Sequence, residues 1–150
     1  MNGRRASEGL LNSYVAAEYG VPIVLVTGDD RTCADSAGYA PGVPAVAVKE
    51  CVSRYAAVCR PPEVTAAAIT SAARDGMKLA GRVPPASDAG FSVEVEVDAA
   101  QLAQAAAIVP TVRRTGDRAV AFESPTAYDM VRCFKVVCTM ISSAMEERYG

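Results

Sequence analysis

The feature that most constrains this chain is a helical pattern followed directly by an unbroken apolar run. Residues 8–19 place apolar side chains at roughly helical spacing after Ser7, a residue type that favours helix N-termini. Gly20 suits the end of that helix, and only apolar residues occupy the run from Val21 to Val26. A continuous apolar strand after a helix is typical of a parallel sheet that helices cover on both faces. The stretch therefore predicts an α/β fold.

The rest of the chain predicts a three-layer α/β arrangement, with a mainly parallel sheet flanked by helices and an α+β-like C-terminal portion. Residues 1–80 form the α/β part, in which helices and strands alternate and Pro61-Pro62 begins the last helix. Residues 81–90 are rich in glycine and proline and predict an exposed linker. Residues 91–150 predict a β-α-β-α part, which opens with the strict alternation of Phe91–Val97. These parts form one domain or two subdomains.

Capping residues predict further element boundaries. Asp30 is expected to cap a short helix, and Asp98 is expected to cap the alanine-rich helix Ala99–Ala107. A short strand is expected at Ala45–Val48, after a proline-rich loop. Ser124-Pro125 is expected to open the last helix.

The composition excludes several classes of protein. The chain has 15 basic and 17 acidic residues, so it lacks the positive field that attracts phosphates, and we expect no nucleic-acid partner. No apolar run reaches the length of about 18 residues that a membrane span requires. The N-terminus also lacks the pattern of a secretory signal. We therefore expect a soluble cytoplasmic protein with no membrane partner.

Histidine is absent, and this limits the chemistry that the chain can perform. Without it, histidine triads, histidine general bases and histidine metal ligands are excluded within these residues. The five cysteines are odd in number and include no C-x-x-C pair, so neither a disulfide framework nor a zinc ribbon is indicated. Residue chemistry alone therefore identifies no catalytic residue and no reaction.

Polar residues after the two predicted strands are the candidates for lining a crevice. Asp29 and Asp30 follow the first strand, and Lys49 and Arg54 follow the second. Ligands of α/β sheets bind beyond the carboxyl ends of the strands, where these residues would meet. The alternatives are that the aspartates cap a turn and that the basic residues form ion pairs or a solvated face. Glu8 lies at the start of the first helix, where an acidic residue also stabilises the helix dipole.

Short motifs follow one another in a fixed order along the whole chain. They are Asn2-Gly3, the segments 7–12, 19–22, 26–30, 48–50 and 53–57, the Pro-Pro-Glu helix start, and the segments 93–97, 112–116 and 120–123. In order and spacing they resemble the second half of the DppA-type zinc D-aminopeptidases, which are metallopeptidases associated with dipeptide uptake. The resemblance implies zinc-dependent hydrolysis of N-terminal residues from short peptides, with a preference for D-residues, and a homo-oligomer.

The resemblance also assigns roles to individual residues. Glu8 matches the family's glutamate zinc ligand in a G-E-x-x-x-N segment, and Asn12 matches the asparagine of that segment and joins the residues expected to line the crevice. Ser7 departs from the pattern, because the family usually has glycine there. The family's other acidic ligands and its histidines belong to a first half that this sequence does not contain.

The resemblance and the missing ligands together predict a fragment or truncated relative of such an enzyme. Structural and catalytic zinc sites take three or four protein ligands, so we expect Glu8 alone not to hold zinc and the isolated chain to be inactive. The alternative is a non-catalytic α/β module that binds a small ligand or serves as an oligomerisation scaffold.

Overall fold

The computed structural model describes residues 1–82 and 89–149, with side chains up to residue 145. The chain divides into two compact units. The first unit is Ser7–Ala86, and the second unit combines Met1–Ala6 with Ser87–Gly150. The described residues form helices α1 Glu8–Glu18, α2 Asp30–Ser36, α3 Pro62–Met77, α4 Ala100–Ala106 and α5 Ala127–Tyr149, and strands β1 Val26–Asp29, β2 Ala45–Ser53, β3 Ala56–Cys59, β4 Phe91–Glu96, β5 Arg113–Gly116 and β6 Ala119–Ser124.

The first unit contains a small mixed sheet in the order β1-β2-β3. Strand β1 runs parallel to β2, from the pair Val26 and Ala45 onwards, and β3 runs antiparallel to β2. Ser7 caps α1 as predicted, since its side chain accepts a hydrogen bond from the Leu10 N–H. Gly20 follows the helix with a φ of +66°, a conformation that glycine adopts without strain.

The second unit contains an antiparallel sheet in the order β4-β6-β5. The predicted alternation of β4 is confirmed, because Phe91 and Val93 are buried while Glu94 and Glu96 are exposed. Helices α4 and α5 pack on each other and on β6, and Met130 of α5 is fully buried in this core. This unit therefore has a conventional hydrophobic core.

The prediction of a mainly parallel sheet is wrong for this chain. Only β1 and β2 are parallel, and the other strand pairs of the described residues are antiparallel. Parallel strands need a long crossover connection. The short strands β3 and β5 were not predicted; tight turns at residues 54–55 and 117–118 join them to β2 and β6, and such turns produce antiparallel pairs. The fold is thus mixed α/β with two small sheets, and the three-layer arrangement stays a prediction.

Two predicted helix caps and one predicted strand are also wrong. Asp29, not Asp30, caps α2, because its side chain accepts the Thr32 N–H. Helix α4 is capped by Ala99 without a side-chain hydrogen bond, so Asp98 does not cap it. The first strand was predicted at 21–26, whereas the ladder begins only at Val26.

Burial differs strongly between the two units. Of the 16 buried hydrophobic residues in the described part of the chain, 12 lie in the second unit and four in the first. The run 21–26, predicted to be buried on both faces, contains no buried residue. The role of 81–90 as a linker stays a prediction, since residues 83–88 lie outside the described residues. Among the described helices, none combines the length and hydropathy that crossing a membrane requires.

Candidate functional site

Glu8 occupies the first position of α1 and its side chain is exposed. The sequence favours a helix start here because Ser7 satisfies one of the backbone N–H groups that the first turn leaves without a partner. Asn12 is exposed one turn later, and residues four positions apart lie on the same face of a helix. The two polar residues that the family resemblance singled out therefore share one accessible face of α1.

The start of α1 is held against α2 by a short hydrogen bond. The Ser7 hydroxyl donates to Asp35 Oδ2 at 2.5 Å, while the same hydroxyl oxygen accepts the Leu10 N–H. Tyr39 lies directly against Gly9, where the added Cβ of any other residue would overlap the phenol oxygen. This network fixes the helical turn that carries Glu8. Sequence reasoning missed Asp35 and Tyr39, because no local pattern indicates contacts across about 30 positions.

The two aspartates at the carboxyl end of β1 both have structural partners. Asp29 Oδ1 accepts the Thr32 N–H at 2.6 Å, and Asp30 Oδ1 accepts the Cys51 N–H of β2 at 2.7 Å. The hydrogen bonds from the Thr32 backbone and side chain lower the pKa of Asp29, and the positive charge of Lys49 adds to that effect. Asp29 is therefore ionised near neutral pH and shapes the turn into α2.

The basic candidates occupy different parts of the hairpin. Lys49 lies opposite Asp29 in the β1–β2 ladder, so the structure brings these two together. Arg54 lies in the turn between β2 and β3, where its guanidinium is 5.7 Å from the centre of the Tyr55 ring. Strand pairing places Lys49 at the carboxyl end of β1, whereas the turn carries Arg54 beyond the ladder.

The described residues do not supply a metal site by themselves. Among residues 1–82 and 89–145, whose side chains the structure describes, there is no group of three or more Asp, Glu, Cys or His side chains placed to hold a metal ion. Burial, together with the negative charge of Asp29, raises the pKa of the Cys33 thiol, which disfavours the thiolate that binds zinc. Zinc sites take three or four protein ligands, so Glu8 does not fit the metal without further ligands.

Comparison with known proteins matches the chain to a family model. The model of the Peptidase_M55 family, described as D-aminopeptidase, matches residues 1–136. A curated relative, the D-aminopeptidase of Bacillus subtilis (strain 168), is 30% identical over 152 residues, which cover 99% of this chain and 54% of the relative.

The fold of the chain is also similar to that of a solved structure. It is the zinc-dependent D-aminopeptidase DppA from Bacillus subtilis, described as a self-compartmentalizing protease, and it superposes with a TM-score of 0.85 at 27% identity. The superposition covers 94% of this chain and 52% of that one. The chain therefore spans about half the length of the relatives it matches.

Proposed function

Because this chain belongs to the D-aminopeptidase family, we propose that it forms part of a zinc-dependent D-aminopeptidase and contributes Glu8 as one ligand of the metal. The reaction is hydrolysis of the N-terminal residue from short peptides, with D-residues preferred. The observation that carries the proposal is the placement of Glu8, exposed on a helical turn that Ser7 and Asp35 hold in place. Because the backbone of this turn is already held, only the rotamers of the Glu8 side chain remain to be ordered when it binds a metal.

The remaining zinc ligands come from outside these 150 residues. Two features support this division of the site, namely the absence of histidine from the sequence and the lack of a ligand cluster among the described residues. Asn12, Asp29, Asp30, Lys49 and Arg54 are proposed to line the approach to the site. Hydrogen bonds already engage Asp29 and Asp30, so these two shape the loop rather than bind metal. The isolated chain is therefore inactive.

The first test is the zinc content of the purified, dialysed chain and of two variants, Glu8→Gln and Glu63→Gln. Glu63 is the matched control, because it lies in the first turn of α3 just as Glu8 lies in the first turn of α1. We expect no stoichiometric zinc in any of the three proteins. Stoichiometric zinc that Glu8→Gln loses and Glu63→Gln keeps would show that this chain completes the site by itself.

The second test examines the role of Glu8 as a zinc ligand. It measures zinc content and peptide hydrolysis of an assembly in which this chain is combined with the rest of the family fold. We expect Glu8→Gln to lower both zinc content and hydrolysis of a dipeptide with an N-terminal D-residue at least tenfold, while Glu63→Gln leaves both unchanged. Unchanged zinc and activity in Glu8→Gln would remove Glu8 from the ligand set. If the protein neither binds zinc nor hydrolyses the dipeptide even when the rest of the family fold is present, the alternative is favoured, a non-catalytic module or oligomerisation scaffold. A homo-oligomer is proposed for the working assembly, since the solved relative is described as self-compartmentalizing.

A further inference from the structure

The first unit contains a small cavity at the amino-terminal end of its two parallel strands. The cavity is lined by Ile23, by the loop Tyr39–Val43, and by Leu79 and Arg82 after α3, and its volume is about 110 Å³. Ile23 precedes β1 and Val43 precedes β2, whereas Asp29 and Lys49 lie at the other end of the same strand pair. The cavity is therefore distinct from the crevice at the carboxyl ends of the strands.

Hydrogen bonds hold the backbone on two sides of the cavity. In the loop before β2, the Ala40 N–H donates to the Ser36 carbonyl at 2.7 Å. After α3, the Leu79 N–H donates to the Gly76 carbonyl and the Arg82 N–H donates to the Leu79 carbonyl, each at 2.8 Å. Ligand sites are usually formed largely before the ligand arrives, and this cavity has that property.

The walls of the cavity are mainly aliphatic. Ile23, Val43 and Leu79 are half-buried, and Ala40 is 5% exposed. An apolar cavity of about 150 Å³ can stay free of water and bind benzene. This cavity is smaller, so it suits a branched aliphatic group of about four carbon atoms better than an aromatic ring.

Arg82 gives the cavity a positive charge. Among the described residues that line it, Arg82 alone is charged, and this side chain is exposed. Within the described part of the chain Arg82 forms no ion pair. A guanidinium can bind a carboxylate through two parallel N–H···O hydrogen bonds. A ligand that joins a carboxylate to a short apolar chain is therefore complementary to the cavity in both charge and shape.

We propose that this cavity binds a short branched-chain carboxylic acid. The alkyl group of the acid lies against Ile23, Val43 and Leu79, and its carboxylate pairs with Arg82. A cationic ligand is disfavoured because Arg82 repels it, and a polar ligand would leave its hydrogen-bonding groups without partners against the aliphatic walls. The proposal is independent of zinc and of peptide hydrolysis, so it goes beyond the proposed function.

The test is a titration of the 150-residue chain with isovalerate, followed through the methyl NMR signals of Ile23, Val43 and Leu79. We expect saturable shifts of these signals, with a dissociation constant on the order of 1–10 mM for so small a ligand. Isovaleramide, the uncharged isostere, should bind about fivefold more weakly, because it lacks the charge that pairs with Arg82. Phenylacetate should also bind about fivefold more weakly, because its ring exceeds the cavity.

Two arginine variants test the role of the charge. Arg82→Gln should weaken the binding of isovalerate about fivefold and leave the binding of isovaleramide unchanged. Arg74→Gln is the matched control, because Arg74 is an exposed residue of α3 that does not line the cavity, and it should leave the binding of both ligands unchanged. Both side chains are exposed, so both variants should keep the fold.

A third variant tests the cavity itself. Leu79→Phe places a larger side chain in the wall, so it should abolish the saturable shifts of Ile23 and Val43 with isovalerate and with isovaleramide alike. If Leu79→Phe does not fold, the comparison of the two arginine variants decides.

Four results would overturn the proposal. These are absence of saturable methyl shifts, equal affinity for isovalerate and isovaleramide, tighter binding of phenylacetate than of isovalerate, and isovalerate binding that Arg82→Gln leaves unchanged. The outcome is separate from that of the proposed function, because neither zinc nor a peptide is present in the titration. Binding of isovalerate by a chain that fails both zinc tests would support the cavity site and reject the peptidase proposal.

Discussion

At the scale of single residues, Gly76 shows how one backbone contact determines packing in the first unit. It lies near the end of α3 and is buried, in a helix whose other residues are mostly exposed. A Cβ at this position would overlap the carbonyl group of Val24, which belongs to the apolar run before β1. Glycine in a helix costs about 1 kcal/mol relative to alanine, so close packing is the reason for its presence. Glycine lets the helix backbone approach that segment directly.

We expect Gly76→Ala to lower the free energy of unfolding by about 1–3 kcal/mol, because the clash with the Val24 backbone outweighs the better helix propensity of alanine. Gly81→Ala is the control, since no atom lies within 4 Å of a Cβ built there. That variant should change stability by less than about 0.5 kcal/mol. Urea unfolding of both variants is the measurement. A neutral or stabilising Gly76→Ala would contradict the packing of α3 on residue 24.

At the scale of elements, the hydrogen bond from Ser7 to Asp35 links the start of α1 to α2. Ser7 also caps α1, so one hydroxyl serves both the helix and the contact between helices. Asp29 has a comparable position at the start of α2, and Asp30 ties that helix to β2. In the first unit, therefore, hydrogen bonds from polar side chains connect elements, whereas in the second unit apolar packing connects them.

A double-mutant cycle measures this link. We expect Ser7→Ala to cost about 1–2 kcal/mol, because it removes both the cap and the hydrogen bond to Asp35. Asp35→Ala should cost about 1 kcal/mol, because it removes the hydrogen bond only. The double variant should be little less stable than Ser7→Ala alone. Additive losses in urea unfolding would show that the two side chains do not interact.

At the scale of the whole molecule, apolar burial is divided unevenly between the two units. The second unit buries Phe122, Met130, Val120 and Val137 almost completely, whereas the first unit contains none of the largest fully buried side chains. Seven large hydrophobic residues of the first unit are exposed, and Tyr55 is 89% exposed. Regions with little buried apolar area open more readily than well-packed ones.

Native-state hydrogen exchange of the isolated chain should therefore separate the two units. We expect amides of β4 and β6 to exchange at least tenfold more slowly than amides of β1 and β2, since the second unit has the larger core. As an internal control, Phe122→Ala should accelerate exchange in β4 and β6 without altering β1. Equal protection of both sheets would mean that the first unit is stabilised by contacts other than apolar burial.

The sequence by itself determined the elements that local chemistry specifies. Alternation predicted β4, the double proline predicted the start of α3, and Ser7 and Gly20 predicted both ends of α1. The order of its motifs identified the family and predicted Glu8 as the candidate zinc ligand. Each of these signals acts within a few residues, where capping, propensity and side-chain period control the backbone.

Only the tertiary structure decided the contacts between distant residues. It paired β2 with β3 instead of continuing a parallel sheet, brought Asp35 and Tyr39 to the turn that carries Glu8, and left residues 22–26 only half-buried. An apolar run predicts that a strand will be buried, but it does not specify which surfaces bury it. In the described part of the chain, α3 lies against Val24, and residues 22–26 are half-buried.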